Sequence, residues 1–206
     1  VSNSLTVQAP IDLNGQVLNF QGQTVLSANI NDNTPNAAGV FRAVGSDVVV
    51  SGGTRSIQNF TVDSESDTVS VLSATPQTNP RTLSVPGTFA LNSGTVAHGQ
   101  NTLSVGSNFV VGSDLGSESE GILGGPGYFA FNGTTTALAA NVSIDRLQVL
   151  GNSSLASGSD GEITIADVLW LNAGLSTSGA DNGSLAVADG TTIRRTEGSS
   201  QTSLDE

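Results

Sequence analysis

Residues 85–106 read VPGTFALNSGTVAHGQNTLSVG, and this stretch carries the pattern that decides the fold. Apolar and polar residues alternate along it, and glycine or asparagine interrupts the alternation every few residues. Such alternation is typical of β-strands that bury one face, and Gly and Asn are typical of the turns between them. The alternation recurs at residues 5–7, 17–20, 69–71, 103–105, 163–165 and 185–187. The sequence therefore predicts an all-β protein.

A short element made of an apolar residue, an asparagine and a turn recurs along the chain. Its copies are Leu13-Asn14-Gly15, Leu91-Asn92-Ser93-Gly94, Phe131-Asn132-Gly133 and Leu171-Asn172-Ala173-Gly174. A unit of roughly 40 residues, with one copy lost after the first, explains the positions of the four asparagines. A second apolar-turn element places glycines at 112, 151 and 190, with nearly the same spacing. Each unit thus holds two strand-turn elements, roughly 20 residues apart.

A strand-turn element of this length predicts a parallel β-solenoid, or β-helix, with rungs of roughly 20 residues. Each rung would supply two or three short strands, and each strand would pair with its equivalent in the next rung, about 4.8 Å away. The alternative is a β-sandwich or jelly roll, like a pilin subunit, in which similar hairpins recur by chance.

Three segments resemble a known kind of repeat: residues 9–22 (APIDLNGQVLNFQG), 85–106, and 185–198 (LAVADGTTIRRTEG). They are similar to the degenerate β-helix repeats of secreted bacterial surface and adhesin-like proteins. This resemblance implies an extracellular or cell-surface scaffold, and it brings no catalytic residues with it.

We expect a single all-β domain over residues 1–206. Residues 25–80 fit the repeat poorly, so an irregular insertion or a cap is predicted there. Residues 1–10 are a candidate for a strand exchanged between copies. Residues 199–206 (SSQTSLDE) have no structural signal and are predicted to be a tail.

The composition excludes several classes of function. The chain has 18 acidic and 6 basic residues and a net charge of −12, so it lacks the basic face that nucleic-acid binding needs. It has no cysteine, which excludes disulfides and thiolate chemistry. No apolar run approaches the roughly 20 residues that span a bilayer, so no membrane span is expected.

Residues suited to catalysis are scarce. His98 is the only histidine, and a Ser-His-Asp triad would have to use it. It falls in a predicted turn, where a surface histidine is expected. A glycosidase needs a pair of carboxylates, but no convincing pair is found, and Trp170 and Tyr128 stand alone in their classes. We therefore expect neither an enzyme nor a resident cofactor.

Acidic residues suggest one cation site. Asp63, Glu65 and Asp67 are spaced i, i+2, i+4, which places them on one face of a regular strand. Calcium accepts six to eight such oxygens, so these residues are calcium candidates; the alternative is a solvated acidic face. Further acidic groups are Asp114 with Glu118 and Glu120, and Asp160 with Glu162.

The first strand suggests self-assembly. Charged side chains and proline usually protect an edge strand from pairing with another chain. Residues 1–7 (VSNSLTV) have neither. Val1, Leu5 and Val7 are the candidate assembly residues, because such a strand could join a neighbouring subunit's sheet.

The function predicted from the sequence is that of a non-enzymatic extracellular structural protein. It would be the subunit of a self-assembling cell-surface filament or matrix, joined by strand addition or end-to-end stacking. Its partners would be other copies of itself. The alternative is an adhesive or glycan-binding solenoid module of a larger surface protein.

Overall fold

Every regular element in the described part of the chain is a β-strand. The computed structural model describes residues 4–34, 39–44, 47–73, 80–112, 121–156, 161–178 and 184–195. The strands pair in parallel with strands roughly one coil away, and the coils stack into a parallel β-solenoid. The predicted fold class is therefore confirmed, and the sandwich alternative is not what the chain adopts.

Three parallel ladders run along the solenoid, and the chain visits them in turn. Ladder 1 contains β1 (Ser4–Val7), β4 (Gln23–Leu26), β7 (Val48–Val50), the second half of β9 (Phe60–Ser73), the second half of β11 (Thr88–Gly99), β14 (Gly121–Gly124), the first halves of β17 (Val142–Val149) and β19 (Glu162–Leu171), and β21 (Ser184–Val187). Ladder 2 contains β2 (Ile11–Asp12), β5 (Ile30–Asn31), β8 (Thr54–Ser56), β10 (Thr82–Val85), β12 (Thr102–Val105), β15 (Phe129–Phe131), the second halves of β17 and β19, and β22 (Thr192–Arg195). Ladder 3 contains β3 (Val17–Phe20), β6 (Val40–Ala43), the first halves of β9 and β11, β13 (Asn108–Val111), β16 (Thr134–Leu138), β18 (Ser153–Ala156) and β20 (Leu175–Ser178).

The coils differ in length. Thr82 pairs with Thr102, Phe129 with Leu147, and Phe60 with Phe89. The coil that starts at Phe129 is the shortest of these three, and the coil that starts at Phe60 is the longest. The strands keep their register, and the corners between them take up the difference.

The spacing of the asparagine-turn elements in the sequence does not coincide with this structural repeat. Asn132 and Asn172 both follow strands of ladder 2, whereas Asn92 follows the ladder 3 half of β11. Equal spacing along the chain therefore leads to different corners of the solenoid.

The segment 25–80, where an irregular insertion or cap is predicted, contributes strands to the ladders. It holds β5 to β9 and the end of β4. In it, β6 pairs with both β3 and β9, and β7 pairs with both β4 and β9. The tail predicted at residues 199–206 lies outside the described residues.

The core is a set of inward-facing side chains that pile on their equivalents in neighbouring coils. In β12, Leu103 and Val105 are fully buried while the residues between and before them face outward, which is the alternation seen in the sequence. In ladder 3, four phenylalanines occupy one in-register row: Phe41, Phe60, Phe89 and Phe109. Their ring centroids are 6.0, 5.8 and 5.7 Å apart, within the range of favourable aromatic contacts.

Buried asparagine side chains join the coils at the corners. Asn59, which is 6% exposed, donates from Nδ2 to the Gly39 carbonyl (2.8 Å) and accepts the Thr88 N–H (2.9 Å). It therefore connects the coil before its own with the coil after it. Gly87 permits this, because a Cβ at that position would overlap Asn59 Oδ1. Asn101 also holds backbone at a corner. Its Nδ2 donates to the Val71 carbonyl (2.8 Å), and its Oδ1 accepts the Arg81 N–H (2.9 Å).

We predict that Phe89→Ala destabilises the protein by about 3–5 kcal/mol, because it removes the ring in the middle of the row and leaves a cavity between two coil interfaces. The measurement is equilibrium unfolding in urea. The control is Leu150→Ala, whose side chain is 43% exposed and whose truncation should change stability by less than about 0.5 kcal/mol. Equal effects of the two variants would contradict the role assigned to the phenylalanine row.

We predict that Asn59→Ala lowers the free energy of unfolding by about 2–4 kcal/mol, because two backbone groups at a buried corner lose their partner. The matched control is Asn19→Ala, which truncates an exposed asparagine on β3. A thermal or urea melt of both variants checks this; similar midpoints would show that the corner bonds contribute little.

Candidate functional site

The first coil of the solenoid leaves one side of each strand open. β1, β2 and β3 pair with β4, β5 and β6, and no second partner strand is found for them among the described residues. Leu5, Ile11 and Leu18 are only partly buried although they pack on the core, and Val17 is 56% exposed. The end of the stack therefore presents apolar side chains together with unpaired backbone N–H and C=O groups.

The last described coil is open in the same way. β21 and β22 both pair with β19 on one side, and within the described residues nothing pairs with their other side. Ile193 is 53% exposed, Val187 is 38% exposed and Leu185 is partly buried. Arg194 and Arg195, also on β22, are exposed as well.

The predicted assembly residues lie at the first of these ends. Val7 is buried at 1% exposure and Leu5 is partly buried, because β1 pairs in register with β4 of the same chain. Val1 lies outside the described residues. The strand predicted to be exchanged is thus docked on its own solenoid, with its outer edge open.

The calcium candidates lie on β9, where the ladder is interrupted. Asp63 pairs with Ser93 and Thr68 with Thr95, so residues 64–67 of β9 bulge out of the pairing with β11. Asp63 forms an ion pair with Arg42 and accepts a hydrogen bond from Ser93 Oγ (3.0 Å). The side chains of Glu65 and Asp67, and residues 113–120 and 157–160, lie outside the described part, so the calcium site stays a prediction.

His98 is not on the surface, and the predicted surface turn is wrong. It lies in β11 with no exposed side-chain area, and its Nδ1 donates to the Asn101 carbonyl (2.8 Å). A carbonyl can only accept, so Nδ1 carries the proton and Nε2 is left as an acceptor, for which no partner is found among the described residues. Burial lowers the pKa of His98; the Asn101 carbonyl and Asp145 oppose this shift, while Arg146 adds to it. Because its pKa is lowered, the ring is neutral at pH 7, and its side chain has no exposed area.

Two carboxylates close a corner in the first two coils. Asp12 accepts the Asn14 and Asn33 N–H groups and the Asn33 side-chain amide. These bonds, that of Asn14 foremost, lower the pKa of Asp12. Burial raises the pKa of Asp32, but hydrogen bonds from the turn residues, that of Gly39 foremost, outweigh it, so the pKa is lowered. Both carboxylates hold turns in place.

An aromatic cluster lies on the outer face of ladder 2. Tyr128 and Trp170 are in edge-to-face contact, with ring centroids 5.5 Å apart. The guanidinium of Arg146 lies 4.4 Å from the centre of the Tyr128 ring and donates to the Tyr128 hydroxyl (2.9 Å) and the Gly125 carbonyl (3.2 Å). Arg146 Nε is 3.4 Å from Asp167 Oδ2, and the Asp167 side chain is 64% exposed.

Sequence reasoning missed this cluster because its members are far apart along the chain. Tyr128 and Trp170 each looked isolated. Coil stacking brings them together, because β15 pairs with β17 and β17 pairs with β19. The signal was available only in the strand register, in which Gln148 aligns with Trp170 and Trp170 with Arg194.

Comparisons with known proteins give no relative: no family model, no curated protein and no solved structure matches the chain. The described residues contain no helix with the length and hydropathy needed to cross a membrane.

We predict that the protein loses stability as the pH falls below about 6.5, because His98 is neutral in the fold and gains a proton freely only when unfolded. Because the pKa of His98 is lower in the folded protein than in the unfolded chain, the free energy of unfolding keeps falling until the pH reaches the folded pKa. The slope is at most about 1.4 kcal/mol per pH unit for one proton. The measurement is urea unfolding between pH 7.5 and 4.5. His98→Gln should flatten the profile in this window.

The aspartates act in a different window. Because the folded pKa values of Asp12 and Asp32 are lowered, their contribution to stability is present above the ordinary aspartate pKa of 3.8 and is lost at lower pH.

A pH profile of His98→Gln identical to that of the unmodified protein between pH 7.5 and 4.5 would contradict the role given to His98.

Proposed function

We propose that the protein is a non-enzymatic extracellular structural protein whose copies stack end to end into a filament. The observation that carries this proposal is that the first and the last described coil both present open strand edges and exposed apolar side chains, at opposite ends of one stack. Natural edge strands are usually guarded by charge, proline or a covering element, and β1 and β3 contain neither charge nor proline.

The geometry favours stacking of the last coil of one copy on the first coil of the next. Such a contact joins two different surfaces, so it does not close on itself and it generates an open filament. It would continue the parallel ladders across the junction, pairing backbone groups that are otherwise left to water. It would also cover Val17 on one side and Ile193 on the other.

The extracellular location is supported by the composition and by the resemblance to surface-protein repeats. The proposal that the protein is not an enzyme is supported by the burial of His98, whose side chain has no exposed area and whose Nδ1 is bound to the Asn101 carbonyl. The strand-addition route is less favoured than stacking, because β1 is already paired along β4.

A second candidate function is adhesion through a glycan, and the Tyr128–Trp170 contact on the flank of the solenoid favours it. The two functions use different surfaces, because the flank stays exposed when the ends are joined.

The experiment is electron microscopy and sedimentation velocity over a concentration series. Filaments should show a repeat of about 4.8 Å along their axis by fibre diffraction, because the strands lie across the axis. Val17→Lys or Ile193→Lys should raise the concentration needed for assembly at least about tenfold, since each places a charge in the junction.

The matched control for this experiment is Leu150→Lys. It introduces the same charge at a 43% exposed leucine on the flank, away from both ends, and should assemble normally. A protein that remains monomeric at all concentrations contradicts the stacking proposal, as does assembly that Leu150→Lys impairs as much as Val17→Lys does.

A further inference from the structure

The outer face of ladder 2 changes character along the solenoid. The side chains of one in-register row are small in the earlier coils: Ser56, Ser84 and Ser104 are partly exposed, and Ala130 is buried. The same row then continues with Gln148, Trp170 and Arg194. The only tryptophan of the chain therefore stands on a surface row, and it contacts the only tyrosine.

Neither aromatic residue contributes to the core between the ladders. Both rings are partly exposed, although the core is built of phenylalanine and aliphatic side chains that are almost fully buried. A tryptophan and a tyrosine combine a large apolar surface with a polar tip at low conformational cost, which suits them to binding surfaces. Arg146 fixes the tyrosine ring by lying over it and bonding to its hydroxyl.

Polar residues precede and follow Trp170 in its row. Gln148 lies one coil before it and Arg194 one coil after it, each about 4.8 Å away along the ladder. The exposed Asp167 carboxylate lies shortly before Trp170 on the same strand, beside Arg146. The arrangement is a partly exposed tryptophan ring, inclined at 61° to the Tyr128 ring, with an amide, a carboxylate and a guanidinium on neighbouring residues.

A saccharide has the matching chemistry. One face of a sugar ring is covered by C–H groups and can lie on an aromatic ring, while its hydroxyls radiate at the edge and bond to amide and carboxylate side chains. The coil spacing is close to the length of one sugar residue, so successive sugars of a chain could follow the row.

The exposed guanidinium of Arg194 decides the class of saccharide. The protein carries a net charge of −12 and only six basic residues, so an anion is repelled from most of its surface. The salt bridge to Asp167 offsets the charge of Arg146, whereas Arg194 is exposed beside Trp170. A guanidinium in that position matches a sugar carboxylate, which it can bind with two hydrogen bonds.

We propose that this flank binds an acidic polysaccharide, with Trp170 stacking on a sugar ring, Arg194 binding a carboxylate, and Gln148 and Asp167 bonding to hydroxyls. The proposal rests on the second candidate function, adhesion through a glycan, and gives it a site and a class of ligand. The site lies on the side of the solenoid, and its Arg194 belongs to β22 in the last described coil, next to Ile193, which the end-to-end contact would cover. A filament of stacked copies would repeat the site along its length and bind a long polysaccharide with increased avidity.

The single tryptophan makes the test specific, because all tryptophan fluorescence comes from the site. The probe is an oligomer of galacturonic acid, compared with a neutral glucose oligomer of the same length. The Val17→Lys protein is titrated, so that assembly does not contribute to the signal. We expect a saturable change in emission with the acidic oligomer, weakened by salt, and at least about tenfold weaker binding of the neutral one.

Two arginine variants provide the matched pair. Arg194→Gln should weaken binding at least about tenfold, because it removes the carboxylate partner. Arg195→Gln removes the same charge at the next position, in register with the buried Leu171, and should leave binding unchanged. Trp170→Ala, measured by calorimetry because it lacks the reporter, should abolish binding. Circular dichroism checks that each variant is folded.

Three outcomes would overturn the proposal. The first is an emission spectrum that does not respond to millimolar acidic oligomer. The second is equal weakening by the two arginine variants, which indicates attraction by general charge alone. The third is equal affinity for the neutral oligomer, which removes the assignment to an acidic saccharide. None of these results bears on filament formation, which the Val17→Lys and Leu150→Lys comparison decides separately.

Discussion

In-register parallel pairing between successive coils is the constraint on which the rest of this structure depends. Because each strand pairs with its equivalent one coil away, every inward side chain lies on the side chain of the same row in the next coil. The row from Phe41 to Phe109 is the clearest result. Within the described residues, the first and the last coil each have a partner strand on one side only. The stability of the core and the proposed end-to-end association therefore depend on the same pairing.

The corners show how the chain meets this constraint with coils of unequal length. Residues inserted between strands carry polar backbone groups that need partners, and buried side-chain amides such as Asn59 and Asn101 supply them across the coil boundary. The carboxylates of Asp12 and Asp32 do the same in the first coils, where Asp12 accepts the Asn33 N–H and Asp32 accepts the Gly15 N–H. These polar side chains are thus used to hold backbone, and the buried, neutral His98 belongs with them, because its Nδ1 binds the Asn101 carbonyl.

The outward faces are free of this constraint, because a side chain there needs no particular neighbour to keep the coils together. Tyr128, Arg146 and Trp170 therefore contact one another on one flank without disturbing the core. The two proposals, assembly through the ends and recognition through the flank, are compatible, since stacked copies would lengthen the flank.

The sequence by itself determined the class of fold and the identity of many core residues. Alternation with a period of two is a local property. The buried residues of one strand, such as Leu103 and Val105 of β12, were therefore readable from a few neighbouring residues. Coil length could not be read in this way. The even spacing of short Asn-turn elements suggested a regular unit, yet register is set by pairing between coils of unequal length. Only the tertiary structure decided which corner each asparagine occupies, that His98 is buried, and that Tyr128 and Trp170 meet. All three depend on contacts between residues one or two coils apart, and a local pattern does not encode them.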